Sequence, residues 1–158
     1  MKHTGTIEIE TERLILRKIK MKDAENLSDL LNDKEVQMYL AGIPADYTVD
    51  MAKDYITNEL KEKYQHKDFY DWAVVLKSDN KMIGRISVFK QDDYRRMADL
   101  VWFVNAKYRN KGYISESVKA VINHLFVIGF ERIEAFANVE NKASTKVMAK
   151  VGMQYEGT

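Results

Sequence analysis

The stretch ADLVWFVNAKYRNKGYISESVKAVINHLF (residues 98–126) decides the fold. Its first seven residues, Ala98 to Val104, are mostly apolar and read as a strand. Alternation puts Asp99, Val101 and Phe103 on one face and Leu100, Trp102 and Val104 on the other. A basic turn through Gly112 follows. From Ser115 to Ile128 the apolar residues return at helical spacing, with Val118, Val121, Ile122, Leu125 and Phe126 as the expected buried face. Ile133 to Val139 (IEAFANV) reads as another strand. Strand, helix and strand in this order form a crossover unit, which is expected to be right-handed. A helix that starts just past the carboxyl end of a parallel strand is a candidate ligand site.

Working outward, Ser144 to Val151 reads as a short helix closed by Gly152, and Tyr155 as the opening of a last strand. Upstream, Phe69 to Leu76 and Met82 to Phe89 read as a hairpin turned at Ser78–Lys81. Leu14 to Ile19 reads as a first strand. Asp23 is the expected cap of a helix that buries Ala24, Leu27, Leu30 and Leu31. Val36 to Leu40 continues as a short helix or turn, and Gly42, Pro44 and Asp46 mark a loop. Thr48 is the expected cap of a long helix to about Lys63, with Met51, Tyr55, Ile56, Leu60 and Tyr64 on its apolar face. Tyr39, Tyr47, Tyr64, Tyr70 and Trp72 read as core aromatics, of which one or two line a cleft. The order β-α-α-β-β-β-α-β-α-β predicts an α/β (α+β) mixed sheet with helices on both faces.

With 158 residues, the chain fits one domain, residues 1–158, with a core that needs no staples. Twenty-five Lys and Arg against 24 Asp and Glu leave a net charge of +1, which does not suggest a polybasic nucleic-acid binder. Cysteine is absent, which excludes disulfides, thiolate ligands and a cysteine nucleophile. His3, His66 and His124 lie too far apart to form a metal-ligand motif, so no metal is expected. The longest apolar run, near Ile122 to Phe130, is far short of a membrane span, and no targeting segment is visible. A cytoplasmic protein is the default expectation.

The chemistry concentrates in Tyr108-Arg109-Asn110-Lys111-Gly112-Tyr113-Ile114-Ser115. Free N–H groups at a helix start bind phosphate, and Arg109 and Lys111 would add charge-assisted contacts. The stretch is neither a Walker loop nor a dinucleotide fingerprint. An ordinary strand-to-helix turn with solvated bases fits the same residues. Asp99, an acid in an apolar strand, suits a base if buried; a solvated first strand residue is the bland alternative. Asn141 is a candidate helix cap, and that role accounts for it fully. His124, mid-helix, reads as structural.

These residues resemble the GNAT superfamily of N-acetyltransferases, and more narrowly its ribosomal-protein N-terminal acetyltransferase-like branch with related polyamine and small-amine enzymes. TERLILRKIKMKDAENL looks like that branch's first strand and helix, residues 98–126 like its central strand, cofactor loop and helix, and IEAFANVENKASTKVMAKVGMQYEG like its last crossover. The pairing of the loop with the last segment carries the specificity. The resemblance implies a GNAT-like acyl-CoA N-acyltransferase fold with a mixed, mostly antiparallel central sheet. It implies transfer of an acetyl group from acetyl-CoA directly to a primary amine, on a protein N-terminus or a small molecule. The family's loop pattern is matched at Arg109 and Gly112, whereas Ile114 replaces the usual small residue.

By the same resemblance, the coenzyme A diphosphate meets the backbone N–H groups of Arg109, Asn110, Lys111, Gly112, Tyr113, Ile114 and Ser115. The pantetheine arm runs along Phe103, Val104 and Asn105, and Asn141 approaches the cofactor. Asp99 matches the position of a catalytic glutamate and acts directly or through water. The family's tyrosine acid corresponds to Met148, which donates no proton, so Ser144 or water is the substitute. Glu116 reads as structural. The acceptor enters over the early helices and the loop Ala41–Thr48, near Glu35, Asp46, Glu59 and Glu62. Members of the branch carry a further strand after this point, so the expectation is a domain that lacks its C-terminal strand, with that strand supplied by more chain or by a partner such as a second copy. A non-catalytic acyl-CoA-binding or regulatory protein is the alternative, and a purely structural domain a weaker one.

Overall fold

All six residues of the strand Asp71–Leu76 are buried, which requires cover on both of its faces. The computed structural model describes residues 1–39 and 42–158. Readings that fall on the Tyr39 side chain, on Leu40 and on Ala41 lie outside the described residues. The sheet runs β1 (Ile9–Glu10), β2 (Leu14–Arg17), β3 (Asp71–Leu76), β4 (Lys81–Asp92), β5 (Met97–Val104) and β6 (Arg132–Ala135), in that spatial order. Neighbours are antiparallel except β5 and β6, which are parallel. The helices are α1 (Ala24–Asn32), α2 (Lys34–Tyr39), α3 (Val49–Tyr55), α4 (Lys61–Lys63), α5 (Tyr113–Val127) and α6 (Lys142–Lys150). A π-helical stretch, Ile56–Leu60, joins α3 to α4, so the expected long helix is present with one irregular segment.

Alternation along the strands builds two cores. Trp72, Val74, Leu100 and Trp102 pack with Val118, Val121 and Leu125 of α5 and Val147 of α6. On the other face Ala73, Val75 and Met82 pack with Leu27, Leu30 and Leu31 of α1, and with Ala52, Ile56 and Leu60. The mixed, mostly antiparallel sheet with helices on both faces is the expected GNAT-like architecture.

Several local expectations need correction. Asp23 does not cap α1 through its side chain. Its carboxylate instead holds the buried Arg17 guanidinium at 2.7 and 3.0 Å and accepts the Lys20 N–H, because a buried cation needs a partner more than a helix end does. Strand β2 stops at Arg17, two residues before the expected end. Met51 and Phe126 are exposed rather than buried, and Ala52 takes the inward position on α3. Strand β6 stops at Ala135, where it parts from β5, and Tyr155 is 80% exposed and lies in no strand. The expected caps at Thr48 and Asn141 are present, the first accepting from Met51 N–H and the second from Ser144 N–H.

Candidate active site

Pairing between β5 and β6 ends at Leu100 and Ala135. From Val101 onward, the edge of β5 that faces β6 has no strand partner among the described residues, so its backbone groups are open to an extended ligand. Two clefts open here. One is lined by Glu35, Val36, Phe103, Arg109, Ile114 and Asn141 among others. The second is lined by Met38, Val101, Phe136, Asn138 and Met148 among others. Trp102, Phe103, Asn141 and Ser144 line both. Val104 lines the first alone, while Asn105 uses its N–H on Ile83 O and its side chain on Lys107 N–H.

The first cleft ends at the start of α5. Asn110 and Gly112 both hold positive φ, at 61° and 79°, a conformation that glycine adopts freely and asparagine tolerates. The N–H groups of Asn110, Lys111, Gly112, Tyr113, Ile114 and Ser115 meet no acceptor among the described residues; the first intrahelical bond runs from Glu116 N–H to Gly112 O. Such a run of free amides at the head of a 15-residue helix is suited to an anion. Ile114 packs against the core and also lines the cleft, so an apolar wall stands where the family's small residue is usual.

Two further cations reach this loop, and neither was anticipated. A Cβ placed on Gly112 would lie 3.4 Å from both Arg13 Nη2 and Lys150 Nζ. Arg13 also stacks on the Tyr113 ring and donates to Lys111 O at 3.1 Å. Arg13 sits before β2 and Lys150 at the end of α6, so only tertiary structure brings them together. Glu116 anchors the assembly from below. It accepts from Thr11 Oγ1 at 2.6 Å, Arg13 N–H at 3.0 Å and Arg13 Nε at 2.8 Å. Burial alone would raise its carboxyl, but these bonds and the Arg13 charge hold it below the usual range. The Arg109 side chain points the other way, pairing with Asp33 and Glu35.

Asp99 is half-buried on β5, two residues before the wall residue Val101, and lines neither cleft itself. Burial and then the nearby Glu134 raise its carboxyl above the ordinary value, while Lys90 opposes them. His124 is structural: it meets Thr4 Oγ1 at 3.1 Å and the Trp72 edge, and burial lowers its basicity. Tyr70 and Trp72 are core residues; Tyr64 OH accepts from Ile19 N–H and donates to Asp71 O.

The model of the acetyltransferase (GNAT) domain family matches residues 13–154. This chain belongs to the GNAT acetyltransferase family. An N-acetyltransferase of Bacillus subtilis called YnaD, itself uncharacterised, is 30% identical over 153 residues, covering 96% of this chain and 85% of that protein. The crystal structure of a GNAT-family acetyltransferase from Bacillus anthracis superposes with a TM-score of 0.80 at 30% identity, over 96% of this chain and 86% of that one. The ribosomal-protein-S5-alanine acetyltransferase of Vibrio fischeri shares the fold with a TM-score of 0.81 at 24% identity, over 96% and 85% of the two chains. The GNAT reading made from the loop and the last crossover is therefore correct at the level of the family.

Proposed function

We propose that the protein transfers an acetyl group from acetyl-CoA to a primary amine. The observation that carries this reading is the run of six free amides from Asn110 to Ser115, at the end of a cleft whose wall is an unpaired strand edge. These groups fit the two halves of coenzyme A. The loop amides, with Lys111, Arg13 and Lys150 nearby, suit the diphosphate; Phe103, Val104 and Asn141 suit the pantetheine arm, while Asn105, whose N–H, C=O and side chain are already bonded, holds the end of that strand in place. Bound acetyl-CoA supplies an acetyl group already activated as a thioester.

The chain's own groups then have three tasks. Asp99 accepts the proton that an ammonium must lose before its nitrogen attacks, through a water because its carboxylate stands back from the cleft. Ser144, on the wall of both clefts, holds a hydroxyl proton for the departing thiolate. The cleft walls hold the two reactants in register, which by itself supplies a large part of the rate. Met148 lines the second cleft and donates no proton, which leaves Ser144 or solvent as the acid. The acceptor is a primary amine, on a protein N-terminus or a small molecule. We place this acetyltransferase domain in the cytoplasm.

The test is a screen of peptides with free amino termini, polyamines and aminoglycosides, with thiol release and product mass as readouts. Acetylated product supports the reading. Coenzyme A binding without turnover of any amine supports the non-catalytic alternative. No heat on titration with coenzyme A, together with no protection of amides 110–115, overturns both.

A further inference from the structure

Arg109 looks from the sequence like a ligand for the diphosphate, yet its guanidinium is already committed. Its Nη2 lies 3.3 Å from Asp33 Oδ2, and its Nη1 pairs with Glu35. Asp33 is doubly engaged: its Oδ1 accepts the N–H groups of Glu35 at 2.9 Å and Val36 at 3.3 Å, which caps α2. The Arg109 and Asp33 side chains are largely buried, at 22% and 17% exposure. Helix α2 supplies Glu35 and Val36 to the first cleft and Met38 to the second. Arg109 thus links the loop of free amides to α2, which lines both clefts.

We propose that Arg109 is a positioning residue: through Asp33 and Glu35 it clamps α2 as the acceptor-side wall of the cleft, and it stays on those carboxylates when a diphosphate occupies the loop. The inference deepens the acetyltransferase reading and rests on it for the identity of the ligands. The charge balance favours retention. Moving the guanidinium to a diphosphate would strip two carboxylates of their partner and leave them beside a second anion. The free amides together with Lys111, Arg13 and Lys150 bind the anion without that exchange. Cofactor loop and acceptor wall are then mechanically joined, and a change of acceptor is met by α2 rather than by the loop.

Two measurements test this. Amide exchange at Gln37 and Met38 is followed without ligand in the wild type, Arg109→Ala and Arg109→Lys. The clamp requires faster exchange in Arg109→Ala and partial recovery in Arg109→Lys; equal protection in all three overturns it. Coenzyme A is then titrated by calorimetry into the wild type and into the triple variant Arg109→Ala, Asp33→Asn, Glu35→Gln, which removes the clamp without leaving an unpaired charge. Pantetheine, which lacks the diphosphate, is titrated alongside: a loss no larger for coenzyme A than for pantetheine supports the clamp, and a larger loss for coenzyme A, about tenfold for a direct contact, overturns it in favour of phosphate binding by Arg109. If Arg109→Ala does not fold, Glu35→Gln replaces it in the exchange experiment with the same expected rise. Absence of coenzyme A binding by the wild type sinks the acetyltransferase reading and leaves the exchange result standing, so the two failures are distinguishable.

Discussion

Asp99 stands beside Glu134 across the parallel pair β5–β6, and register partners of this kind share one face of the sheet. Burial raises the Asp99 carboxyl and Glu134 raises it further, while Glu134 is itself held by Arg132 at 2.5 Å. A base with a raised proton affinity works only above that value, so with Asp99 as the proposed base kcat/KM should climb with pH as its carboxyl ionises. Asp99→Asn should lower turnover by about 10²–10⁴-fold with coenzyme A affinity kept. Glu134→Gln removes the neighbouring negative charge, so the acid limb of the pH profile should move to lower pH. A profile that stays in place under Glu134→Gln would detach Asp99 from catalysis.

Asp71 and Arg85 form a pair sealed under the α3 face, with side chains only 2% and 15% exposed. The carboxylate receives Arg85 Nε at 2.9 Å and the Ser87 hydroxyl at 2.7 Å, and Arg85 Nη2 reaches Tyr55 OH at 2.6 Å. Burial alone would make the guanidinium less basic, and the Asp71 charge more than reverses this. Asp71→Ala leaves the cation without a partner and should cost about 3–5 kcal/mol in urea denaturation. Joint replacement by Leu and Met should recover most of the loss. A double variant as weak as the single one would show that packing, not charge, carries the site.

Which of these features a reader of the sequence finds depends on how local their cause is. Strands β3 to β5 and helix α5 follow from alternation and helical spacing within a few residues. Strand β1 is two residues long and has no pattern of its own. The early end of β6 is a tertiary effect: IEAFANV stays strand-like in composition, but separation from β5 removes its ladder after Ala135. In the site, the loop around Gly112 is legible because helix start, glycine and bases are contiguous. Arg13 and Lys150 at that loop, and Asp33 and Glu35 on Arg109, come from elements far apart in the chain. Asp23 misled because it has two calls on one carboxylate, and the buried Arg17 outbids the helix end.

Gly84 on β4 faces Val104 of β5, and a Cβ there would sit 2.6 Å from Phe103 O. Backbone cannot retreat as a side-chain tip can, so Gly84→Ala must push β4 and β5 apart beside the cleft. The expected loss is about 1–3 kcal/mol of stability. Phe103 and Val104 line the first cleft, so coenzyme A affinity should fall as well. Calorimetry and thermal melting on one preparation check both. A variant with wild-type affinity would mean that the strand spacing recovers before the cleft is reached.

Glu116 links stability to pH in a definite direction. Its carboxyl is held below the usual range in the fold, so it stabilises the protein above the ordinary glutamate value and that contribution is lost as pH falls through the lowered value. Asp99 acts oppositely: its raised carboxyl contributes stability in acid that disappears as pH rises through its folded value. Hydrogen bonds to a charged group are each worth about 1.5–3 kcal/mol, and glutamine keeps some of the acceptor geometry. Glu116→Gln should therefore destabilise by about 1.5–3 kcal/mol at neutral pH, and the gap from wild type should close in strong acid. Urea denaturation across the acid range measures the gap directly. Because Arg13 is shared between Glu116 and Lys111 O, the same variant should loosen the loop and weaken coenzyme A binding. A gap that persists undiminished in acid would mean that Glu116 acts by packing, and the loop's dependence on its charge would fail with it.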